Sequence, residues 1–458
     1  MQDEILKELN NQNPWWVKES YQFYESQLQT REYFQNLISV LARQQIIGVT
    51  GLRRVGKTTL LRQLITRLFN KSINPKNICY FSFDEALIAR NPEILEQVIS
   101  TYIEQILITK VFDLNQKVYI FFDEIQYFPM WQAVLKRYYD ASRFIKFIIS
   151  GSASLLISGQ AVESLAGRII EIFVPPLNFH EFIKLREETI SLPEVDSGRI
   201  LSIINGYDPN WYLLYKENLN ALFLKYLHQG GFPEIIQEKN DNFIREYISN
   251  SVISRIVRFD LVRFFDIKRE DLLLALLKYA GSSTGNLMEV QNLAKSLGAN
   301  RDTVTSYLSH LTKAFIIDIL YNFTPSMLKQ LRGSKKIFIK HPSLTYAILG
   351  LTPDNPLLIN ILGSLVETHV FNVLSKQYQE IRFWREKQKE VDFIVVDSGK
   401  TIPIEVKFKN QIVRKDLQHL LYFCNRFGLS DAVVITKDEL GEKEIEGIKF
   451  KMIPVSLL

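Results

Sequence analysis

Cysteine is almost missing from these 458 residues: there are two, Cys79 and Cys424. They lie far apart and match no zinc-ligand spacing, so they are expected as buried thiols in a reducing cytosol. Histidine is scarce too, with six scattered copies. Any metal site must then be built from carboxylates, which suits Mg²⁺ better than zinc. The N-terminus, MQDEILKELNNQNPWW, has no apolar stretch of the kind a signal peptide needs. No apolar run approaches the ~18 residues of a membrane span. These absences point to a cytoplasmic protein with no membrane partner. The sequence also lacks internal repeats, low-complexity tracts and a strong charge bias. A net charge of +5 permits nucleic-acid binding without arguing for it.

The chain does have ample material for cores. Apolar residues make up 47% and charged residues 23%, close to ordinary globular usage. Its length suits several domains. Residues 1–40 read as a helical segment with an aromatic cluster at Trp15 and Trp16. From Gln45, apolar strands alternate with amphipathic helices. IIGVT, NICYFSF, VYIFFD and KFIISGS are the strands, and the alternation predicts a parallel α/β sheet with helices on both faces over residues 41–177. Pro175 and Pro176 in VPPLNFHEF mark a boundary, since proline cannot donate to a sheet ladder. Residues 178–266 read as mostly helical, broken by a turn at QGGFPE. Residues 267–340 read as helix, turn, helix and two strands, with Gly298 and Asn300 as caps. That pattern predicts a winged helix. Residues 341–458 read as a separate α/β domain.

The strongest chemical signal is GLRRVGKTT, from Gly51 to Thr59, between a strand and a helix. A phosphate cradle needs inward backbone N–H groups, glycines that permit that backbone, and a helix N-terminus behind them. Gly51, Arg53, Arg54, Val55, Gly56, Lys57, Thr58 and Thr59 are the candidate nucleotide-binding residues. Lys57 would reach the β- and γ-phosphates and Thr58 would hold Mg²⁺. Arg53 and Arg54 would face the nucleotide or a neighbouring subunit. VYIFFDE supplies an acid at a buried strand end. Asp123 is assigned to Mg²⁺ and Glu124 to polarising the attacking water. Ser150, Ser152 and Ser154 follow the next strand, where a hydroxyl either senses the γ-phosphate or caps a turn. Arg168, in SLAGRIIEI, either neutralises transition-state charge or forms a surface ion pair. ATP and Mg²⁺ are the expected cofactors.

A second constellation lies near the C-terminus. Residues two apart on a strand share a face, which pairs Glu390 with Asp392 and Glu405 with Lys407. A turn at SGK would bring the strands together as a hairpin, so that Asp392, Glu405 and Lys407 converge. Two carboxylates and a lysine can bind Mg²⁺ and stabilise a phosphodiester transition state. Alternating charge on a solvated strand would give the same letters. Like charges brought together in a buried place need a cation between them. In the winged-helix segment, Arg301, Thr303, Ser306 and Lys313 are the candidate DNA contacts. Asp302 on the same helix counts against them.

GLRRVGKTT, VYIFFDEIQ, SGSASLL, SLAGRIIEIFVPPLNFHEF and GGFPE follow one another in this order. In this the chain resembles a large prokaryotic group of AAA-like ATPases that carry a C-terminal nuclease-like domain. The resemblance spans nearly the whole chain. It implies an AAA-type core, a winged helix and a domain similar to the PD-(D/E)xK nucleases. Within it, Glu367 resembles an extra metal-binding acid of one nuclease branch, and Gln418 and Tyr422 have a spacing seen in nuclease relatives. The chain departs from the group at IFIKHPSL, where His341 and Pro342 replace an acid and a glycine. Two functions stay open. One is an ATPase coupled to a metal-dependent nuclease or DNA-binding domain. The other is a signalling ATPase whose catalytically inactive nuclease-like domain binds a protein partner or a second copy.

Overall fold

Five apolar runs form a parallel sheet: β1 Ile46–Thr50, β2 Ile78–Ser82, β3 Val118–Asp123, β4 Ile145–Ser150 and β5 Ile169–Phe173. They appear in a computed structural model of the chain, which describes residues 2–18, 21–83, 93–128, 130–152, 165–186, 190, 200, 206–265, 267–324 and 333–458. These fall into two compact units, Met1–Pro175 and Pro176–Leu458. In the first unit the strand order is β2-β3-β4-β1-β5, with every neighbour parallel. Every residue of β1, β3 and β4 is buried. Parallel strands covered on both faces therefore read as unbroken apolar runs rather than alternating ones.

The first forty residues are helical only near their two ends. Helix α1, Gln2–Gln12, and a second helix, Tyr33–Leu41, are separated by short 3₁₀ turns at Pro14–Trp16 and Tyr24–Gln27. Tertiary bonds override the helical pattern there. The indole N–H groups of Trp15 and Trp16 both donate to the carbonyl of Ile78, at 3.1 and 2.9 Å. This segment belongs to the same unit as the sheet.

The second unit contains helix α2, Pro209–Gln229, a three-stranded antiparallel sheet and a six-stranded mixed sheet. The small sheet has the order β6-β8-β7, from Leu287–Met288 (β6), Ile317–Tyr321 (β7) and Lys335–Ile339 (β8). Helices Glu270–Ser282, Val290–Ser296 and α3, Arg301–Lys313, accompany it. Asn300 caps α3 by accepting the N–H of Asp302. Six strands make the larger sheet: β9 Ile381–Glu386, β10 Lys389–Asp397, β11 Lys400–Lys407, β12 Asp431–Thr436, β13 Gly441–Ile445 and β14 Ile448–Pro454. Their order is β13-β14-β12-β11-β10-β9.

Helix α4, Leu358–Gln377, packs Leu365, Val366, Val370 and Phe371 into one core with Phe393, Val395 and Ile404. Helix α5, Gln418–Phe427, packs Leu420, Leu421 and Phe423 into another with Val391, Ile394 and Val434. By length and composition α4 could cross a membrane. Its apolar face is used instead in this core. Both cysteines are buried free thiols.

Candidate functional site

The loop from Gly51 to Gly56 joins the end of β1 to the helix Lys57–Asn70. Its backbone requires glycine at two places. Gly56 has φ +93°, and Gly51 has φ +151° with the carbonyl oxygen of Val174 only 2.2 Å from where a Cβ would stand. Lys57 is buried, and its ammonium donates inward to the carbonyls of Gly51 (3.2 Å) and Leu52 (2.8 Å). The hydroxyl of Thr58 donates to Asp123 Oδ2 at 2.7 Å. That bond joins the loop to the end of β3, whose neighbour β4 delivers Ser150. The Ser150 hydroxyl donates to Asp123 Oδ1. Glu124 follows in a left-handed conformation, φ +56°, and its carboxylate accepts the amide N–H of Gln126. Arg53 donates to the Tyr127 hydroxyl, Arg54 is exposed, Val55 is buried and Thr59 is half-buried.

In the second unit, β10 and β11 pair as the expected hairpin. The ladder ends at Phe393↔Ile404, and β10 has an irregularity between Val391 and Ile394 against β9. Asp392 sits where the strands part, and its Oδ2 accepts the N–H of Val406 at 2.8 Å. It lies between two charged groups. On one side Lys407 pairs with Glu405 at 2.5 Å. On the other, Lys336 of β8 enters with its ammonium 2.8 Å from Glu367, 2.7 Å from Glu390 and 3.7 Å from Asp392.

Lys336 has only 2% of its side chain exposed. Burial would lower its pKa, but Glu367, Asp392 and Glu390 raise it above the ordinary lysine range, so it stays charged. Burial pushes Glu367 up to about 7 against the pull of Lys336. Burial and the charge of Asp392 push Glu405 up to about 8. Glu390 is held below its usual value by Lys336 and Arg385 in spite of burial.

A family model described as an AAA domain matches residues 43–183. This segment is an AAA-like P-loop ATPase domain. Two further models, both described as domains of unknown function, match residues 220–355 and 362–458. An uncharacterized protein of Haemophilus influenzae is 24% identical over 432 residues, covering 93% of this chain and 97% of its own length. An uncharacterized protein of Methanocaldococcus jannaschii is 26% identical over 415 residues, 88% of this chain and 82% of its own. Among solved structures, the Aeropyrum pernix ORC1 protein in complex with DNA overlaps at a TM-score of 0.32 and 14% identity, over 76% of this chain and 97% of that one. The Thermotoga maritima RuvB branch migration motor overlaps at 0.28 and 17% identity, over 70% and 95%.

Within the AAA-like domain, Lys57, Thr58, Asp123, Glu124 and Ser150 come together, and Ser152 is buried just beyond the end of β4. Ser154 lies outside the described residues. Arg168 does not join them, which corrects its assignment to the phosphate site. It precedes β5, and Ile46 pairs with Ile169, so it sits at the opposite end of the strand, roughly 16 Å away at ~3.3 Å per residue. There it pairs with Asp140 at 2.9 Å.

The C-terminal expectation also changes. Glu367, Asp392, Glu405 and Lys407 do gather, but the ammonium of Lys336 stands among the acids. Among the described residues, no group of three or more His, Cys, Asp or Glu is arranged to hold a metal ion. Gln418 and Tyr422 line a surface recess with Arg414 and Lys415 instead. On α3, Arg301, Ser306 and Lys313 are exposed and Thr303 is half-buried.

Sequence reasoning missed four residues of these sites: Lys336, Gln126, Tyr80 and Arg31. Tyr80 donates its hydroxyl to Asp123 Oδ2 at 2.9 Å. Arg31 donates to the carbonyls of Val55 (2.9 Å) and Pro175 (2.8 Å), bracing the loop from outside. Only Gln126 carried a usable signal, its place two residues after Glu124.

Proposed function

We propose that the protein is a Mg²⁺-dependent ATPase of the cytoplasm. The bond between Thr58 Oγ1 and Asp123 Oδ2 carries the proposal. It places a hydroxyl and a carboxylate, both hard oxygen donors suited to Mg²⁺, side by side at the mouth of the loop. Bound there, Mg²⁺ would neutralise charge on the β- and γ-phosphates. Thr58 and Asp123 would hold it. Lys57 would exchange the loop carbonyls for phosphate oxygens. Glu124, restrained by Gln126, would orient the attacking water and draw on its proton. Lys57→Ala is expected to abolish ATP binding in an equilibrium titration. Glu124→Gln should keep binding and slow hydrolysis ~10²–10⁴-fold. Wild-type affinity in Lys57→Ala would sink the assignment.

For residues 341–458, Lys336 favours a partner-binding platform over an active nuclease. A metal-dependent nuclease needs its carboxylates free for the cation, and here Glu367 bonds directly to an internal ammonium, Asp392 lies 3.7 Å from the same ammonium and Glu405 pairs with Lys407. Residues 267–340 serve in this proposal as a winged helix, with Arg301, Thr303, Ser306 and Lys313 as its available contacts to DNA. Incubation of the full chain with plasmid and single-stranded DNA, with Mg²⁺ and with or without ATP, should give no cleavage. Cleavage that disappears in Asp392→Asn would restore the nuclease instead.

A further inference from the structure

The edge of the parallel sheet bears directly on the metal end of the nucleotide site. β2 is an edge strand, and its outer side is closed by side chains from the N-terminal segment, which lies outside the matched AAA model. Asn13 is fully buried. Its amide clasps Tyr80 from both directions, accepting the Tyr80 N–H at 2.6 Å and donating to the Tyr80 carbonyl at 2.8 Å. Gln12 accepts the N–H of Ser82 at 2.7 Å. The backbone of β2 is thereby fixed at the residue whose side chain reaches Asp123.

Tyr80 is 5% exposed and Asp123 is 2% exposed. A phenol keeps its proton at neutral pH, so the hydroxyl, 2.9 Å from Asp123 Oδ2, is the donor of this bond. The same carboxylate oxygen receives the Thr58 hydroxyl, while Ser150 holds the other. Three donors on two oxygens fix both the rotation and the tilt of the carboxylate. The ring is held as well: the Arg62 guanidinium lies 5.8 Å from its centre and pairs with Glu25.

We propose that Tyr80, locked in register by Asn13, is a positioning residue that orients Asp123 for the divalent cation of the nucleotide complex. The inference rests on the ATPase reading of this site. Tyr80 touches neither nucleotide nor metal in this role. It acts by removing a rotational freedom that Asp123 would otherwise lose on binding the cation. A donor to a charged carboxylate contributes about 1.5 kcal/mol or more, and ~1.4 kcal/mol is a factor of ten in an equilibrium constant.

The test uses the full chain and a fluorescent ATP derivative, titrated without metal and across a Mg²⁺ series. Tyr80→Phe should leave the metal-free affinity within twofold of wild type. It should raise the Mg²⁺ concentration for half-maximal tightening by about tenfold. Asn13→Ala, which frees the Tyr80 backbone and spares the hydroxyl, should shift the same midpoint in the same direction. Thr58→Val should lose the metal effect altogether. A merely structural role for Tyr80 would weaken metal-free and metal-bound affinities together, and that result overturns the inference. So does a wild-type Mg²⁺ midpoint in both Tyr80→Phe and Asn13→Ala while Thr58→Val loses its response. If wild type shows no Mg²⁺ response, the ATPase reading itself has failed.

Discussion

Replacing Lys336 by methionine keeps most of the side-chain volume and removes the charge. Lys336 is nearly inaccessible and bonds Glu367 and Glu390 directly, with Asp392 further off. Removing one partner of a buried ionic group costs about 3–5 kcal/mol, because the remaining charges stay desolvated. Glu390 keeps Arg385 at 2.9 Å, so the loss falls mainly on Glu367 and Asp392. The pH dependence has a definite sign. A carboxyl whose folded pKa is raised binds more protons folded than unfolded, so its contribution to stability falls as pH rises between the two values. With Lys336 present that window for Glu367 closes at about 7. Without it the window extends upward, at ~1.4 kcal/mol per pH unit. The deficit of Lys336→Met should therefore be about 1–2 kcal/mol at pH 5.5 and about 3–5 kcal/mol at pH 8.5. Calorimetry of the full chain would read this as a fall of roughly 6–10 °C at pH 8.5 in the transition of the second unit. Lys336→Met combined with Glu367→Leu should recover much of it. A single variant within 0.5 kcal/mol of wild type at both pH values would refute Lys336 as the balancing cation.

Gly51→Ala would place its Cβ against the Val174 carbonyl at a φ closed to alanine. ATP affinity should fall at least ~10-fold, measured by titration, through displacement of the loop. His369 is fully buried, and burial followed by Lys376 pushes its pKa down to about 3. A depressed histidine costs stability as pH falls below its unfolded value near 6.5, so wild type should lose roughly 2 kcal/mol through this residue between pH 7.5 and pH 5. Denaturant titrations should show the deficit of His369→Gln shrinking by about that amount over the same range.

The P-loop was legible because its chemistry is contiguous: glycines, lysine and threonine follow one another, and a strand and a helix on either side supply the geometry. Asp123 and Glu124 were legible for the same reason, at the end of an unbroken apolar strand. His341 shows a milder version. Read as a departure, it caps the helix Pro342–Leu349 with its own ring nitrogen, which accepts the N–H of Ser343 at 3.1 Å. Arg168 misled because nearness in sequence to a strand says nothing about which end of the sheet it marks. That depends on strand direction and order, and both entered only with β5 lying parallel to β1.

Tyr80 and Lys336 expose the deeper limit. Both lie on strands identified from the sequence, where Tyr80 reads as one more residue of an apolar run and Lys336 as a charge that a strand pattern assigns to a solvated face. Lys335 and Lys336 alternate, so one must point out and the other in, and nothing local decides which. The choice is made by α4, which carries Glu367, and by β10, which opens at Asp392. The pairing with β9 is irregular there, and period-two reasoning, which places Glu390 with Asp392, could not foresee a third element entering between them. A buried charge is tolerable only with its partners in place. The burial of Lys336 is therefore a property of three segments jointly, and the cation that the paired carboxylates required came from the protein itself.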